Sequence, residues 1–336
     1  MRWSIILLIA ISLAGCNNEE SASTEEAPAT ETPRDANEAP TAPGEPTSEP
    51  TAEPSETAPP TLKLVKPGKK PRRALRWSIE AGQKERLTMR VDTELEAVMV
   101  VLNAKQAPRS VAFELTLQTE EGGGEGPRVV SFTVDEARLL DTAKTPPKAL
   151  EARKEAVAAM KGFGGTYRID SLGTVEEVVI DLPSDASREL WGISGDLEWA
   201  LRQLSAPFPE KPIGTGAKWT IERGVEQDGV DASEVSKFQL TKLRKQLVTL
   251  KTKVQQSAAP QNFRNPGSPI DAELTEFAAE GSGKVTWDPT RLVPRSGKMT
   301  LSVTKEMEYE FEQKIVKSRT ITRRTLTIPG ERKSRP

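Results

Sequence analysis

MTLSVTKEMEYEFE, residues 299–312, is the clearest strand signal in this chain. Met299, Leu301, Val303, Met307, Tyr309 and Phe311 share one parity; Thr300, Ser302, Thr304, Glu306, Glu308, Glu310 and Glu312 share the other. A period of two puts one set in a core and the other in water, the mark of a half-buried antiparallel strand. The run is longer than an ordinary strand, and a sheet of such strands must twist and curl strongly.

The same alternation spreads in both directions. Val248, Leu250 and Val254 predict another long strand, Phe238 and Leu240 its neighbour, and residues 317–328 a last strand rich in Thr and Arg. Earlier, Leu75, Trp77 and Ile79 alternate with polar residues, as do Leu87, Met89 and Val91, then Val111 to Leu117. Val130, Phe132 and Val134 follow a Gly-rich loop at 122–126. Two helices interrupt the strands. Thr145 as cap with Pro146 at the first position opens one, carried by Leu150, Val157 and Met160 and ended by Gly162. The second runs from about 186 to 204, with Leu190, Ile193, Leu197, Leu201 and Leu204 on one stripe and Trp191 and Trp199 beside it. The fold class is therefore α+β: a strongly curled, half-barrel-like antiparallel sheet with two helices packed on it. The broad apolar face of the second helix marks Leu190, Trp191, Leu197, Trp199 and Leu201 as candidate ligand-facing or lid residues.

Several sites fail on their own chemistry. The Glu row could supply oxygen ligands for calcium, but side chains at i, i+2 and i+4 lie in a line and do not converge. Lys314, Lys317, Arg319, Arg323 and Arg324 are offered as cross-strand partners instead. Ser302 and Lys305 match an S-x-x-K pattern, yet three residues apart on a strand they point to opposite faces. No glycine cluster completes a phosphate or dinucleotide loop. The chain has no histidine and a single cysteine, Cys16. That excludes Ser-His-Asp and Cys-His catalysis, disulfides within the chain and the usual zinc, copper and haem ligand sets. No catalytic residue, cofactor or metal is assigned.

Charge is distributed unevenly. The chain of 336 residues carries 47 basic and 49 acidic side chains, a formal net charge of −2. Residues 17–60 hold eleven acids against Arg34 alone and are built from Ala, Thr, Ser, Glu and Pro, a composition that stays disordered. At a polyproline rise of about 3.1 Å per residue this tether reaches on the order of 130 Å. Residues 63–73, KLVKPGKKPRR, form a basic collar able to meet anionic head groups. It lacks interleaved aromatics, so nucleic acid is not an expected partner.

A short basic start at Arg2 and an apolar run from Trp3 to Ala14 precede Leu13-Ala14-Gly15-Cys16. The run is too short to span a bilayer and fits a secretion leader. The four residues resemble the lipobox of bacterial lipoproteins. The resemblance implies cleavage between Gly15 and Cys16, acylation of Cys16 and attachment to the membrane by its acyl chains. Asn17 is not the aspartate associated with inner-membrane retention, so an outer-membrane address is expected. PFPEKPIGTGAKW, residues 207–219, resembles a stretch of a family of bacterial secreted proteins and lipoproteins with no assigned activity; it implies a Pro-stiffened crossover with Trp219 in the core. More loosely, the curled sheet with two helices resembles half-barrel lipoprotein carriers of acyl chains.

The expected organisation is a signal peptide at 1–15, the lipidated cysteine and tether at 16–62, the collar at 63–73, one β-rich domain at 74–329 and a basic tail at 330–336. The expected function is non-catalytic binding of a hydrophobic envelope ligand or lipid at the cell outer membrane. The alternative is a structural or assembly lipoprotein that docks another envelope protein. GTYRID at 165–170 and GKVTWD at 283–288 form a faint internal echo, each predicting a hairpin with its aspartate in the turn.

Overall fold

The computed structural model describes residues 60–330, except 100–101, 121–126, 141, 144, 171, 265–270 and 312–313. Cys16 with its leader, the tether through 59, the Gly-rich loop, Glu312 and the tail from 331 lie outside the described residues. Every described ladder falls within one compact unit, Ala58–Pro336.

The fold is mostly antiparallel β with two helices. The first meander comprises β2 (Lys84–Met99), β4 (Arg109–Thr119), β5 (Arg128–Leu140), β6 (Gly164–Ile169) and β7 (Val175–Ile180), with β3 (Leu102–Lys105) paired to the end of β2. The second comprises β8 (Lys218–Gln227), β9 (Val230–Arg244), β10 (Leu247–Ala258), β12 (Asp271–Trp287), β13 (Ser296–Phe311) and β14 (Lys314–Ile328), with β11 (Gln261–Arg264) beside β12. The final strand, β14, pairs with β2, joining both meanders into a single sheet. β1 (Thr61–Lys66) adds to β8, so the ladder is open, with β1 and β7 at its ends. Between the meanders lie α1 (Pro147–Ala159) and α2 (Arg188–Arg202).

Alternation converts directly into burial. On β13, Met299, Leu301 and Val303 are buried, while Glu306 meets Arg319 and Glu308 meets Lys317 across the β13–β14 ladder. Glu306 and Glu308 of the row are thus charge-paired on the outer face, whereas Arg324, expected as a further partner of the row, turns inward to Asp196 and Asp228. Ser302 and Lys305 fall on opposite parities, Lys305 among the buried residues.

Four details differ from the sequence reading. Residues 74–80 are not a strand. Leu75 and Ile79 are buried and Trp77 stacks on Phe208, but the segment forms no ladder, and Ser78 N–H donates to the Pro289 carbonyl. An extended segment laid on a core buries alternate residues without pairing, and periodicity cannot tell the two apart. The sheet also begins earlier than Ala74, because Leu62 and Leu64 alternate well enough to make β1 from the tether's end and the start of the collar. α1 starts one residue later than read: Pro146 is the cap, without a side-chain hydrogen bond, and Pro147 opens the helix. Finally, α2 spans 188–202, not 186–204, with Ser187 Oγ accepting from Leu190 N–H.

The crossover from α2 to β8 is tightly held. Trp219 is 1% exposed, donates from Nε1 to the Pro207 carbonyl at 3.0 Å and stacks on Phe238. Two arginines serve this segment: Arg73 of the collar bridges Ile213 through the backbone, and Arg76 just beyond it donates to the carbonyls of Pro209 and Glu210. At Gly214 a Cβ would lie 1.9 Å from the Lys69 carbonyl oxygen, so only glycine lets the two strands of chain approach. Both echo hairpins are present. Asp170 Oδ1 accepts from Thr174 N–H in the β6–β7 turn, and Asp288 Oδ1 accepts from Thr290 N–H in the β12–β13 turn.

Candidate functional site

The predicted ligand-facing residues of α2 separate into two groups. Leu190, Leu197, Trp199 and Leu201 are buried against the sheet, whereas Trp191 is 39% exposed and faces away from it. The space left between the C-terminal half of α2 and the sheet is about 60 Å³, lined by Trp199, Phe238 and Trp287 together with Arg223, Glu234 and Gln256. Ligand pockets run to about 300–1,000 Å³. The stripe is therefore packing, and the gap beneath it is small and partly polar. Glu234 fills the polar side: its Oε1 accepts from Arg223 (2.9 Å) and Ser236 (2.9 Å), and its Oε2 from Gln256 Nε2 (2.9 Å).

On the same inner face sits a chain of buried and half-buried charges. Asp196, on α2, accepts from Thr93 Oγ1 at 2.8 Å, Arg109 Nη2 at 2.6 Å and Arg324 Nε at 2.9 Å. These donors come from β2, β4 and β14, so one carboxylate ties the helix to three adjacent strands. Arg324 then grips Asp228, in the β8–β9 turn, with both Nη atoms at 2.8 and 3.0 Å. Lys305 on β13 donates to the Asp228 carbonyl at 2.9 Å and lies 4.9 Å from the centre of the Phe263 ring.

The electrostatics of this chain follow from burial set against pairing. Burial by itself would raise the Asp228 pKa; Arg324, Lys305 and the hydrogen bonds of Arg324 and Gln227 overcome it and hold the carboxyl below the usual range. Burial opposes the charge on Arg324, yet Asp228 and Asp196 together raise its pKa. Lys305 is pushed down by burial, only partly offset by Asp228. Asp228 and Arg324 thus stabilise each other's charged forms. Among the described residues no three His, Cys, Asp or Glu side chains converge as metal ligands.

Phe263 leads from these charges to an opening of ligand size. A trough of about 570 Å³ lies where β11 and β12 meet the far ends of β13 and β14. Phe263, Ala272, Tyr309 and Ile315 supply its apolar surface, and Glu273, Glu308 and Glu310 its acidic side. Phe263 is buried at 7% exposure and Ile315 stands 69% exposed. Burial pushes the Tyr309 phenol pKa up.

Sequence reasoning placed the α2 stripe but missed the trough and the charges. One signal was available: Lys305 shares the parity of Val303 and Met307, and Arg324 that of Leu326 and Ile328, so both interrupt an inward-facing apolar run. No model of a known protein family matches this chain, and comparison with curated proteins finds no match.

Proposed function

We propose that this chain is a lipid-anchored, non-catalytic binding protein of the cell outer membrane, whose curled, half-barrel-like sheet holds an apolar ligand in the trough at the β11–β14 end. The observation that carries this reading is the contrast in space: about 570 Å³ in the trough against about 60 Å³ under α2. An apolar floor with a charged rim suits one end of an amphiphile. The anchor is read from Leu13-Ala14-Gly15-Cys16, with Cys16 acylated.

Strong curl is supported by Asp228. From β9 to β14 is four strand steps, roughly 19 Å across a flat sheet at about 4.8 Å each. The turn that ends β8 nevertheless reaches Arg324 on β14 at 2.8 Å, which favours a sheet bent around its inner face.

The test is native mass spectrometry with lipid extraction on Ala58–Pro336. A fragment beginning at residue 62 would cut into β1. The expected result is an apolar mass at near-stoichiometric level, lost in Ile315→Asp, whose exposed position leaves folding intact. A clean apo mass, or retention of the ligand in Ile315→Asp, rejects the trough. A second reading, docking of another envelope protein, draws on the edge of β7, which pairs with no further strand among the described residues and where Val179 is 44% exposed. An apo trough together with an in-cell cross-link from position 179 to one defined envelope protein would favour it.

A further inference from the structure

The outer face of the sheet carries a feature that the ligand reading does not use. Following the ladders from the β1 edge, Lys66 stands opposite Lys218, which stands opposite Gln239, then Lys251, Lys284 and Lys298 in turn. This row crosses β1, β8, β9, β10, β12 and β13. A parallel row, two residues along, begins at Lys63 and passes Thr220 to Lys237 and Lys253, then Ser282 and Thr300. All eight lysines are exposed, and neither row contains an acid.

Like charges directly opposite on a sheet repel and destabilise it. Here Lys66 faces Lys218, Lys237 faces Lys253, and Lys284 faces a lysine on each side. Among the described residues none of the eight has a carboxylate partner within 4 Å; Lys237 reaches only the Gln255 amide oxygen, at 3.4 Å. The contrast lies on the same face. Farther along β13 and β14 the sheet sets Glu306 against Arg319 and Glu308 against Lys317. The chain thus neutralises one end of this surface and leaves the other uncompensated.

We infer that the lysine rows are a docking surface for an anionic phospholipid membrane. Five strand steps give a patch on the order of 24 Å across, wide enough to meet several head groups at once. Lysine suits such a surface because it is a mobile point charge on a flexible stem, where arginine would favour fixed bidentate geometry. The collar continues the patch, because Lys69 and Lys70 are exposed just beyond β1. The patch also lies at the edge where the chain from residues 1–60 enters the sheet. The inference stands whether or not Cys16 is acylated, since the charges belong to the folded unit.

The experiment uses unlipidated Ala58–Pro336 in vesicle co-sedimentation, with phosphatidylcholine vesicles alone or containing phosphatidylglycerol, at 50 and 500 mM salt. Binding is expected only to the anionic vesicles and only at the lower salt, because screening weakens exposed charges. The variant Lys237→Gln, Lys251→Gln, Lys253→Gln, Lys284→Gln should lose at least about 100-fold in affinity. It should also unfold at no lower urea concentration than the parent, since repulsion is relieved. Lys154→Gln, Lys161→Gln, Lys211→Gln, which removes charge elsewhere, should bind within about threefold of the parent. Absence of parent binding to anionic vesicles overturns the inference, as does equal loss in both variants. So does capture of soluble polyphosphate without vesicle binding, which would move the partner away from the membrane.

Discussion

Asp196→Ala probes the charge that joins α2 to the sheet. The Asp196 side chain is 3% exposed and accepts three hydrogen bonds, two of them from guanidinium groups. Its removal strands neither arginine completely. Arg109 keeps Glu189 at 3.5 Å and the Gly192 carbonyl at 3.0 Å, and Arg324 keeps its paired contact with Asp228. The loss is therefore that of removing one buried partner from two ion pairs whose arginines each keep another contact, about 3–5 kcal/mol. Urea unfolding of Ala58–Pro336, followed by tryptophan fluorescence, measures it. Glu308→Ala is the comparison: its pair with Lys317 has side chains 26% and 72% exposed, is screened by water and should contribute little to stability. A double-mutant cycle of Asp196→Ala with Arg324→Met should show coupling of about 1–3 kcal/mol. A loss from Asp196→Ala no greater than from Glu308→Ala, or coupling under about 0.5 kcal/mol, would refute the network.

Asp228→Asn tests the depressed carboxyl. The unfolded chain takes up a proton near pH 4 while the folded carboxyl, held by Arg324 and Lys305, takes it up lower, so stability rises with pH through this window and is lost as pH falls through the folded value. The parent should lose stability more steeply than Asp228→Asn below about pH 4; parallel acid limbs would count against the pairing. Leu197→Ala should lose about 2–5 kcal/mol by opening a cavity, whereas Trp191→Ala, partly exposed, should lose under about 1.5 kcal/mol. The reverse order would mean that α2 presents its other face to the sheet. Cys16→Ser should release the full chain from the membrane fraction, and retention there would reject the anchor.

Much of the fold was legible because burial imposes a period. The parity of Met299 to Phe311, the stripe from Leu190 to Leu204 and the crossover ending in Trp219 each follow from local pattern. The same logic explains the misreading of Leu75, Trp77 and Ile79. They show the alternation of a half-buried segment, and alternation reports which side chains face a core without reporting whether the backbone has a neighbour. The candidate site was far less legible. A trough is space between strands distant in sequence, and Phe263, Tyr309 and Ile315 carry no pattern that sets them together.

The amino-acid sequence by itself determined an antiparallel, β-dominated body with two helices, because side-chain periodicity is a local property of each segment. It also determined, through the lack of histidine and the lone cysteine, which chemistries have no residues to perform them. Only the tertiary structure decided that β14 pairs with β2, that Asp196, Arg324 and Asp228 meet, and that lysines from six strands share one outer surface. Those outcomes depend on strand order and register. Pairing partners far apart in the chain are selected by the fit of the whole sheet, a free energy that no single segment contains.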